Sequence, residues 1–583
     1  MDLERRCAGI AGDRAKGTAA RLDELLRAAW EWEMTEFPER ATWSGFPGQN
    51  HRWSDRSRAA IDRRRREISA PLAAAKQIAR AELPPRRELD LDLFVKEYER
   101  ALEETRWPVE LLAISQMDGI HQDPAQLLSL MPAGCAKELD DVVARLEGLP
   151  ALVEQAIALL SEGLARGVTP PRVTLRDVPR QVENLCVADP SSSPMLAAFA
   201  RRPDGLAPEE HARRKRAADD TFTRRIVPAL RRLRGFLVDR YVPGARETIA
   251  CRDLPDGEAW YAFKVREQTT TSLSPQEIHA IGLEEVKRIR AALAAVTQEA
   301  SRASGVPDDF AAFCEFLRTD RRFYFESADA LLTAYRDLCK RIDPQLVKLF
   351  GRLPRLPYGV AEVPAFSAES QTTAYYLPGS PEAARPGWFY ANTSKLDSRP
   401  RWEMEALTLH EAVPGHHLQI ALAQELELPD FRRHGPGCNA FVEGWALYAE
   451  SLGGELDCYR DPFSRFGQLS YEMWRAIRLV VDTGMHALGW PRERAIDYFR
   501  SNSGKPLHDI TVEIDRYLVW PAQALSYKIG ELEIRRLRRE AEAVLGARFD
   551  LRAFHDELLS EGALPLDLLA ERAQAWTRAR VGA

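Results

Sequence analysis

The chain has 583 residues, of which 45% are hydrophobic and 29% charged, and its formal net charge is −6. This length and composition are typical of a globular protein with a large core and room for more than one domain. The weak negative charge gives no general attraction to nucleic acid, and no run approaches the roughly eighteen apolar residues of a membrane-spanning helix. We therefore expect neither nucleic acid nor a membrane as a partner.

The cysteines and the N-terminus bear on the cellular compartment. Eight cysteines are scattered along the chain without a C-x-x-C pair, which favours reduced thiols over a disulfide framework or a thiolate metal site. The first residues, "MDLERRCAGIAGDRAKG", are charged and lack the apolar stretch of a secretory signal. These features predict a cytoplasmic protein.

Helical periodicity dominates the chain, so we predict a mainly α fold. Apolar residues recur at intervals of three and four, with charges between them, over residues 21–34, 124–131, 139–167, 277–300 and 328–342. Ser274, Pro275 and Glu277 form the N-cap, first turn and capping box of a helix start. A boundary near 265–275 would separate an N-terminal helical region, 1–270, from a catalytic region, 271–583. The alternative is one continuous helical body.

One stretch, residues 363–394, favours β-structure. Its aromatic runs "TTAYYL" and "GWFYANT" flank a turn rich in Pro, Gly and Ser, which predicts a hairpin or small sheet. An extended peptide substrate can pair with such an edge, lined here by Tyr375, Tyr376, Tyr390 and Asn392. The alternative is that these aromatic side chains simply cover the core.

The segment "LTLHEAVPGHHLQIA", residues 407–421, holds three of the eleven histidines. In the zinc motif H-E-x-x-H the histidines lie four residues apart, about 40° around a helix and about 6 Å along it. Here the second histidine comes at His416 or His417, and an ideal helix would place neither beside His410. Pro414-Gly415 interrupts the helix, so we predict a bulge that returns His416 to His410.

A third ligand is expected from the next helical stretch, "NAFVEGWALYAESLGGE", which carries Glu443 and, seven residues later, Glu450. Two histidines and Glu443 leave a fourth position for water, as in catalytic zinc sites. Glu411 would then be the general base for that water. We expect one zinc ion per chain, although cobalt or manganese would fit the same ligands. His417 remains the alternative to His416.

Further candidates for catalysis and substrate binding follow in the C-terminal third. Tyr527 is the preferred donor to an oxyanion or a leaving group, with packing in a helix interface as its alternative. Gln523, four residues earlier, is expected on the same helical face. Arg478, Arg516 or Lys528 would hold the terminal carboxylate of a substrate.

Arg478, Asp482 and His486 share one helical face at i, i+4 and i+8, amid apolar neighbours. They favour either a buried network that supports the metal ligands or a substrate site in which His486 donates to the reaction intermediate. The simpler alternative is a salt bridge between Arg478 and Asp482.

"HEAVPGHHLQ" followed by "FVEGWALYAE" resembles the bacterial family called domain of unknown function 885, DUF885. Five more segments resemble the family in the expected order: "ERATWSGFPGQNHRWSDRS", "LSPQEIHAIGLEEVKRI", "YYLPGS…RPGWFYANT", "WRAIRLVVDTGMHALGWPRERAIDYF" and "EIDRYLVWPAQALSYKIGELEI". The resemblance therefore covers nearly the whole chain.

This resemblance implies a zinc peptidase. "GHHLQ" is similar to the Gly-His segment of the carboxypeptidase Taq and thimet oligopeptidase families, which are mostly helical zincins with a deep cleft. The implied fold is a large helical zincin-like body with a deep cleft and a small sheet next to the metal helix. By this match His416 is the second ligand and Glu443 the third. This chain has two extra residues between Glu411 and Gly415, so His417 remains the alternative second ligand.

Three functions are consistent with the sequence. The first is a zinc metallopeptidase acting on short peptides, of the carboxypeptidase, dipeptidase or oligopeptidase type. The second is a zinc hydrolase of non-peptide amides or small metabolites, because a fold and a metal do not fix the substrate. The third is a non-catalytic helical protein whose metal site is lost or structural. A homodimer is compatible with each of them.

Overall fold

The computed structural model describes residues 3–364, 368, 372–380, 385–435 and 437–581. The fold is mainly α, as predicted, with one small sheet of three strands. The chain divides into unit 1, Met1–Gly257 with Pro429–His434, and unit 2, Glu258–Leu428 with Gly435–Ala583. The sequence gives no sign that 429–434 joins unit 1. Within the described ranges, no helix has the length and apolar character needed to cross a bilayer.

Unit 1 is built around one long helix that matches the apolar periodicity of residues 139–167. This helix continues through Pro150, and its apolar face lies in the main core of the unit. The first twelve helices are α1 (Leu3–Gly12), α2 (Thr18–Glu36), α3 (Pro38–Ser44), α4 (Arg58–Glu67), α5 (Ser69–Ala75), α6 (Pro85–Glu104), α7 (Asp123–Leu130), α8 (Ala136–Arg166), α9 (Val178–Asn184), α10 (Pro208–Thr221), α11 (Val227–Phe236) and α12 (Val242–Gly244).

The remaining helices belong to unit 2, except for the short α19, which lies in unit 1. They are α13 (Gly257–Thr269), α14 (Pro275–Ser304), α15 (Phe310–Thr319), α16 (Ala328–Ile342), α17 (Met404–Glu411), α18 (His416–Gln424), α19 (Asp430–Arg433), α20 (Asn439–Ser451), α21 (Pro462–His486), α22 (Arg492–Asn502), α23 (Leu507–Val519), α24 (Ser526–Leu545), α25 (Leu551–Leu559) and α26 (Leu566–Val581). The capping box predicted at Ser274 is present at the start of α14.

The sheet contains β1 (Tyr358–Glu362), β2 (Ala374–Leu377) and β3 (Gly387–Ala391), in the order β1-β3-β2. The predicted antiparallel pair is confirmed, since Tyr375 of β2 lies opposite Tyr390 of β3. The parallel strand β1 was not predicted, because "YGVAE" holds residues that are depleted in strands. Residues 365–367, 369–371 and 381–384 of the predicted segment lie outside the described residues.

Two glycines bring α20 and α24 into close contact. A Cβ on Gly530 would lie 1.8 Å from the carbonyl oxygen of Ala440, and one on Gly444 would lie 2.5 Å from the Cα of Gly530. Helix α17 packs against both α20 and α21. The close crossing therefore places the turn of α20 that carries Glu443 next to the start of α24. Tyr527 lies in that start, three residues before Gly530.

Candidate metal centre

The structure brings His410, His416 and Glu443 together, with one ligand atom from each within 4.8 Å of the others. Glu443 Oε2 lies 3.7 Å from His410 Nε2 and 3.6 Å from His416 Nε2. Ligands of a tetrahedral zinc ion with bonds of about 2.1 Å stand about 3.4 Å apart. These two separations therefore suit a single shared ion.

The predicted bulge within one helix is wrong: the chain forms two helices instead. Helix α17 ends at Glu411 and α18 begins at His416, and the four residues between them are not helical. His417 N donates to the carbonyl of Ala412 at 3.1 Å, and Trp445 Nε1 donates to that of Pro414 at 2.8 Å. The break turns the chain so that the His410 and His416 rings lie 4.8 Å apart.

Gly415 is required at this break. A Cβ there would lie 2.0 Å from the carbonyl oxygen of His410 and 2.4 Å from that of Leu409. Only glycine lets the chain pass so close to the end of α17. The Pro-Gly pair that interrupts the zinc motif therefore forms part of the turn that brings the two histidines together.

The donor set fits a cation. Glu443 Oε2 is buried and has no hydrogen-bond partner among the described residues. A buried carboxylate oxygen without a partner is costly, so such an atom in a native protein calls for a ligand. Two imidazoles and one carboxylate are the donors of many catalytic zinc sites. The three residues therefore fit zinc.

The charges of the site favour the same conclusion. Burial alone would lower the pKa of His410, but the nearby carboxylate of Glu443 and the hydrogen bond to Glu450 raise that pKa to about 9. Burial would raise the pKa of Glu443, but His410 and His416 lower it to about 2. Burial and the charge of His410 lower the pKa of His416. A metal ion bound at His410 would therefore compete with a proton for this ring.

A second carboxylate orients His410. Glu450 Oε1 lies 2.8 Å from His410 Nδ1, and Arg475 Nη2 lies 3.7 Å from the same oxygen. This contact holds Nδ1 of the His410 ring towards Glu450, so that Nε2 faces Glu443. The sequence places Glu450 on the same helical face as Glu443, but its pairing with His410 was not predicted.

His417, the alternative ligand, faces the sheet. Its Nδ1 lies 2.9 Å from the hydroxyl of Tyr376, and its ring centroid lies 4.6 Å from that of Tyr358. A Cβ on Gly387 would lie 2.3 Å from the Tyr376 hydroxyl, so this glycine leaves room for the contact. The geometry therefore favours His416 over His417 as the second ligand.

Glu411 and Tyr527, the predicted catalytic residues, lie beside the three ligands. The charge of Glu411 acts on the pKa of both His410 and His416, which places its carboxylate near both rings. Tyr527 is half-buried, and its hydroxyl helps to lower the pKa of Glu443. The guanidinium carbon of Arg478 lies 4.5 Å from the centroid of the Tyr527 ring.

Arg478 and its neighbours form a buried polar network next to Tyr527. Arg478 Nε donates to the hydroxyl of Tyr517 at 2.9 Å, and its Nη2 lies 3.1 Å from Glu513. Arg516 donates to Gln523 at 2.6 Å and lies 3.5 Å from Glu513. Arg478 therefore pairs with Tyr517 and Glu513 rather than with Asp482, and support of the metal ligands by this network stays a prediction.

Other predicted residues already have internal partners. Lys528 is fully buried, and its Nζ lies within 3.0 Å of Glu285, Glu472 and Glu531. All three of its donors therefore have carboxylate partners, and a substrate carboxylate would have to displace one. The Lys528 side chain thus links α24 to α14 and α21 through these carboxylates.

His486 and Asn392 lie in similarly closed surroundings. The Nε2 of His486 donates to the backbone carbonyl of Tyr517 at 2.9 Å, so that proton is not available to a substrate. Asp482 accepts from Tyr261 at 2.6 Å and from the backbone of Ala522. The amide of Asn392 donates to the carbonyls of Ala368 and Thr372 and holds the turn beside the sheet.

The strand β2 forms an edge of the sheet and packs against α17. Its Tyr375 stacks on Tyr390 at 5.1 Å on the half-exposed face, whereas Tyr376 points to His417 on the other. Binding of a peptide along this edge remains a prediction, as does the deep cleft.

Comparisons with known proteins agree with the resemblance found in the sequence. The family model described as "Bacterial protein of unknown function (DUF885)" matches residues 38–572, which confirms the predicted family. No curated protein matches the chain. A crystal structure from Colwellia psychrerythraea, described as a "putative lipoprotein", is 26% identical with a TM-score of 0.89 and covers 97% of this chain and 100% of its own.

A second solved structure shows the same fold. It is a "putative lipoprotein of unknown function" from Shewanella oneidensis, 19% identical, with a TM-score of 0.73. The match covers 94% of this chain and 99% of that one. The similarity therefore extends over both units, and neither description names an activity.

Proposed function

Because the chain belongs to the DUF885 family, whose description names no activity, we propose a function from the metal centre itself: a zinc-dependent peptidase that hydrolyses short peptides. One observation carries the proposal. His410, His416 and Glu443 converge within 4.8 Å, and the buried Glu443 Oε2 has no partner among the described residues. Glu411, which a purely structural metal site would not need, lies beside them.

The roles of the residues follow from their positions. When bound, zinc would polarise the scissile carbonyl and make water a better nucleophile at neutral pH. Glu411 accepts a proton from the attacking water and passes it to the leaving amine. Tyr527 donates a hydrogen bond to the carbonyl oxygen as negative charge develops on it. Glu450, held by Arg475, keeps His410 in the orientation that its role as a ligand requires.

Substrate binding is proposed along the β2 edge, where backbone groups can pair with an extended peptide beside α17. Arg478 is the preferred cation for a terminal carboxylate. Arg478 also pairs with Glu513, but its Nη1 has no hydrogen-bond partner among the described residues, whereas Lys528 has a carboxylate for each of its donors. A substrate with a free C-terminus would therefore bind better than one with a blocked C-terminus.

The proposal is tested by replacing Glu411 and measuring both metal and activity. We expect Glu411→Gln to keep the zinc and to lower kcat on short peptides by roughly 10²–10⁴-fold, the usual contribution of a general base. Peptides with free and blocked termini serve as substrates. Glu427→Gln, an exposed residue after α18, is the matched control and should keep wild-type activity.

Two outcomes would contradict the proposal. Full activity in Glu411→Gln would exclude this mechanism. If wild type holds zinc but cleaves none of the peptides, the reading as a hydrolase of non-peptide amides or small metabolites gains support instead.

The cellular location is also a proposal. The eight cysteines are free thiols in the structure, as suits a reducing compartment. The two similar solved structures are each described as a "putative lipoprotein", so a location outside the cytoplasm is the alternative. We propose the cytoplasm, and fractionation of cells that express the full-length gene would decide between the two.

A further inference from the structure

The polar face of α21 holds the end of α23 and the chain that connects α23 to α24. Arg478 donates to the hydroxyl of Tyr517 at 2.9 Å, and His486 donates to the backbone carbonyl of the same residue at 2.9 Å. Asp482, which lies between them on α21, contacts Ala522 further along the connection. The spacing i, i+4 and i+8 thus serves to hold this connection, and Asp482 reaches the part of it nearest to α24.

Ala522 has a left-handed backbone conformation that alanine rarely adopts. Its φ is +68° and its ψ is −12°. In this region the Cβ of an L-residue comes too close to the following carbonyl oxygen, and alanine has no polar side chain that could offset the cost with a hydrogen bond. Such a conformation persists only where the surrounding structure holds it. The contacts of Ala522 therefore need to supply that hold.

The carboxylate of Asp482 binds the backbone of Ala522. The amide of Ala522 donates to both oxygens of this carboxylate, at 3.1 and 3.2 Å. The hydroxyl of Tyr261 donates to the same carboxylate at 2.6 Å and so holds the acceptor in place. Asp482 and Ala522 are both fully buried, and hydrogen bonds are electrostatically stronger in such surroundings than in water. The carboxylate therefore fixes the direction of the Ala522 amide and, with it, the turn.

The turn at Ala522 leads directly to Tyr527. A single 3₁₀ turn follows Ala522, and α24 begins at Ser526, so four residues separate Ala522 from Tyr527. The amide of Leu525 donates to the carbonyl of Ala522 at 3.0 Å, which ties the turn to the start of the helix. A rotation of the backbone at Ala522 therefore carries Tyr527 with it. The crossing at Gly530 sets how close α24 lies to α20, whereas the turn sets where α24 begins.

We propose that Asp482 is a positioning residue for Tyr527: it holds Ala522 in the left-handed conformation that directs the Tyr527 hydroxyl towards the metal centre. The consequence for catalysis rests on the proposed function, in which Tyr527 donates to the carbonyl oxygen of the substrate. The position of the Tyr527 ring is a property of the folded chain and is measured without a substrate. The inference and the proposed function can therefore fail separately.

The position of Tyr527 is read by ¹⁹F NMR on the full chain with 3-fluorotyrosine at residue 527. We expect Asp482→Asn to shift or split this resonance, because an amide nitrogen replaces one of the two oxygens that accept from Ala522. The substitution keeps the shape of the side chain, and burial already raises the pKa of Asp482 to about 7, so we expect the neutral variant to fold. An unshifted resonance in Asp482→Asn overturns the inference.

Ala522→Gly separates the effect of the turn from other effects of the carboxylate. Glycine adopts a positive φ without strain, so this change should leave the resonance in place when Asp482 is present and return it towards the wild-type position in Asp482→Asn. Thr483→Val is the matched control, because Thr483 is equally buried on α21 but contacts His279 of α14, at 2.9 Å. The inference is overturned if Ala522→Gly restores nothing, or if Thr483→Val shifts the resonance as far as Asp482→Asn does.

Peptide kinetics tests the link to catalysis. Asp482→Asn should keep the zinc content and KM and lower kcat about tenfold, which is less than the roughly 10²–10³-fold effect of removing an oxyanion donor. In a Tyr527→Phe background the same substitution should change kcat by less than about twofold, because the group that it positions is already lost. An equal loss of kcat in both backgrounds overturns the inference. If wild type cleaves no peptide, the proposed function fails, and the ¹⁹F spectra still decide whether Asp482 positions Tyr527.

A measurement on wild type covers the case in which Asp482→Asn does not fold. Hydrogen exchange followed by mass spectrometry reports on the Ala522 amide in the full chain. We expect this amide to exchange as slowly as the amides inside α21, because it is buried and bonded to Asp482. Exchange of the Ala522 amide within seconds overturns the inference.

Discussion

His555 ties the stability of unit 2 to pH through a single buried ring. Its Nδ1 donates to the carbonyl of Leu349 at 2.9 Å, and its Nε2 accepts from the hydroxyl of Tyr448 at 2.8 Å. Burial lowers its pKa from 6.5 to about 3. The folded state therefore resists protonation that the unfolded state accepts. The contribution of the neutral His555 ring to the free energy of unfolding is complete above pH 6.5 and is lost as the pH falls from 6.5 towards 3.

We expect the free energy of unfolding of metal-free protein to fall by up to a few kcal/mol over this window. His555→Gln keeps a donor and an acceptor but does not titrate. Its stability at pH 7 should be lower, by about 1–2 kcal/mol, yet should decline less steeply towards pH 4. Urea unfolding at pH 7.0, 5.5 and 4.5 measures both effects.

The control is His508→Gln, because His508 is exposed on α23. This variant should keep the wild-type dependence on pH. Equal slopes in His555→Gln and wild type would show that His555 does not set the acid sensitivity.

Individual residues were predicted best where their roles depend on local sequence. His410, His416, Glu443 and Glu411 follow from one motif and one helix, and the structure brings them together. The sequence predicts Lys528 as a substrate-binding cation because it does not show the carboxylates around it. Those carboxylates come from α14 and α21, which are far from Lys528 in sequence. A cation in a sequence looks free until the carboxylates that surround it are known.

At the scale of elements, the crossing of α20 and α24 controls the position of Tyr527. Gly530→Ala would place a Cβ 1.8 Å from the carbonyl oxygen of Ala440, so the two helices must separate. We expect a loss of about 3 kcal/mol or more in unfolding free energy. Because Tyr527 lies three residues before Gly530, peptidase activity should fall more than zinc content. Thermal unfolding, metal analysis and peptide assays check these three quantities.

Gly235→Ala is the matched control. Gly235 lies in α11 with nothing within 4 Å of the position of its Cβ. The change should alter stability by no more than about 1 kcal/mol and in the stabilising direction, since alanine favours helix. If Gly530→Ala is as stable and active as Gly235→Ala, the close crossing does not control the site.

The break between α17 and α18 shows the limit of prediction for elements. Pro414 and Gly415 indicate an interruption, and the sequence correctly implies that His416 returns to His410. It cannot distinguish a bulge from two separate helices, because that depends on Trp445 of α20, which holds the connection from outside. Long periodic helices such as α8, α14 and α16 need no such partner and were predicted from their own residues.

At the scale of the whole molecule, the mainly α class and the small sheet follow from the sequence, whereas the inclusion of Pro429–His434 in unit 1 does not. That segment, "PDFRRH", is too short to show a periodicity of its own. Its place depends on contacts such as that of Arg432 with Asp90, at 2.6 Å, between residues far apart in sequence. Motif order identified the family over the length of the chain, because the motifs do not require knowledge of such contacts.

The central claim is that His410, His416 and Glu443 hold one metal ion. The most direct measurement is the metal content of the purified chain by mass spectrometry, for wild type and for His410→Ala, His416→Ala, Glu443→Ala and His417→Ala. We expect about one zinc per chain in wild type, a loss in the first three variants, and retention in His417→Ala, whose ring faces Tyr376 and Tyr358. Wild-type protein that takes up no metal when zinc is supplied would contradict the account, and so would loss of zinc in His417→Ala with retention in His416→Ala.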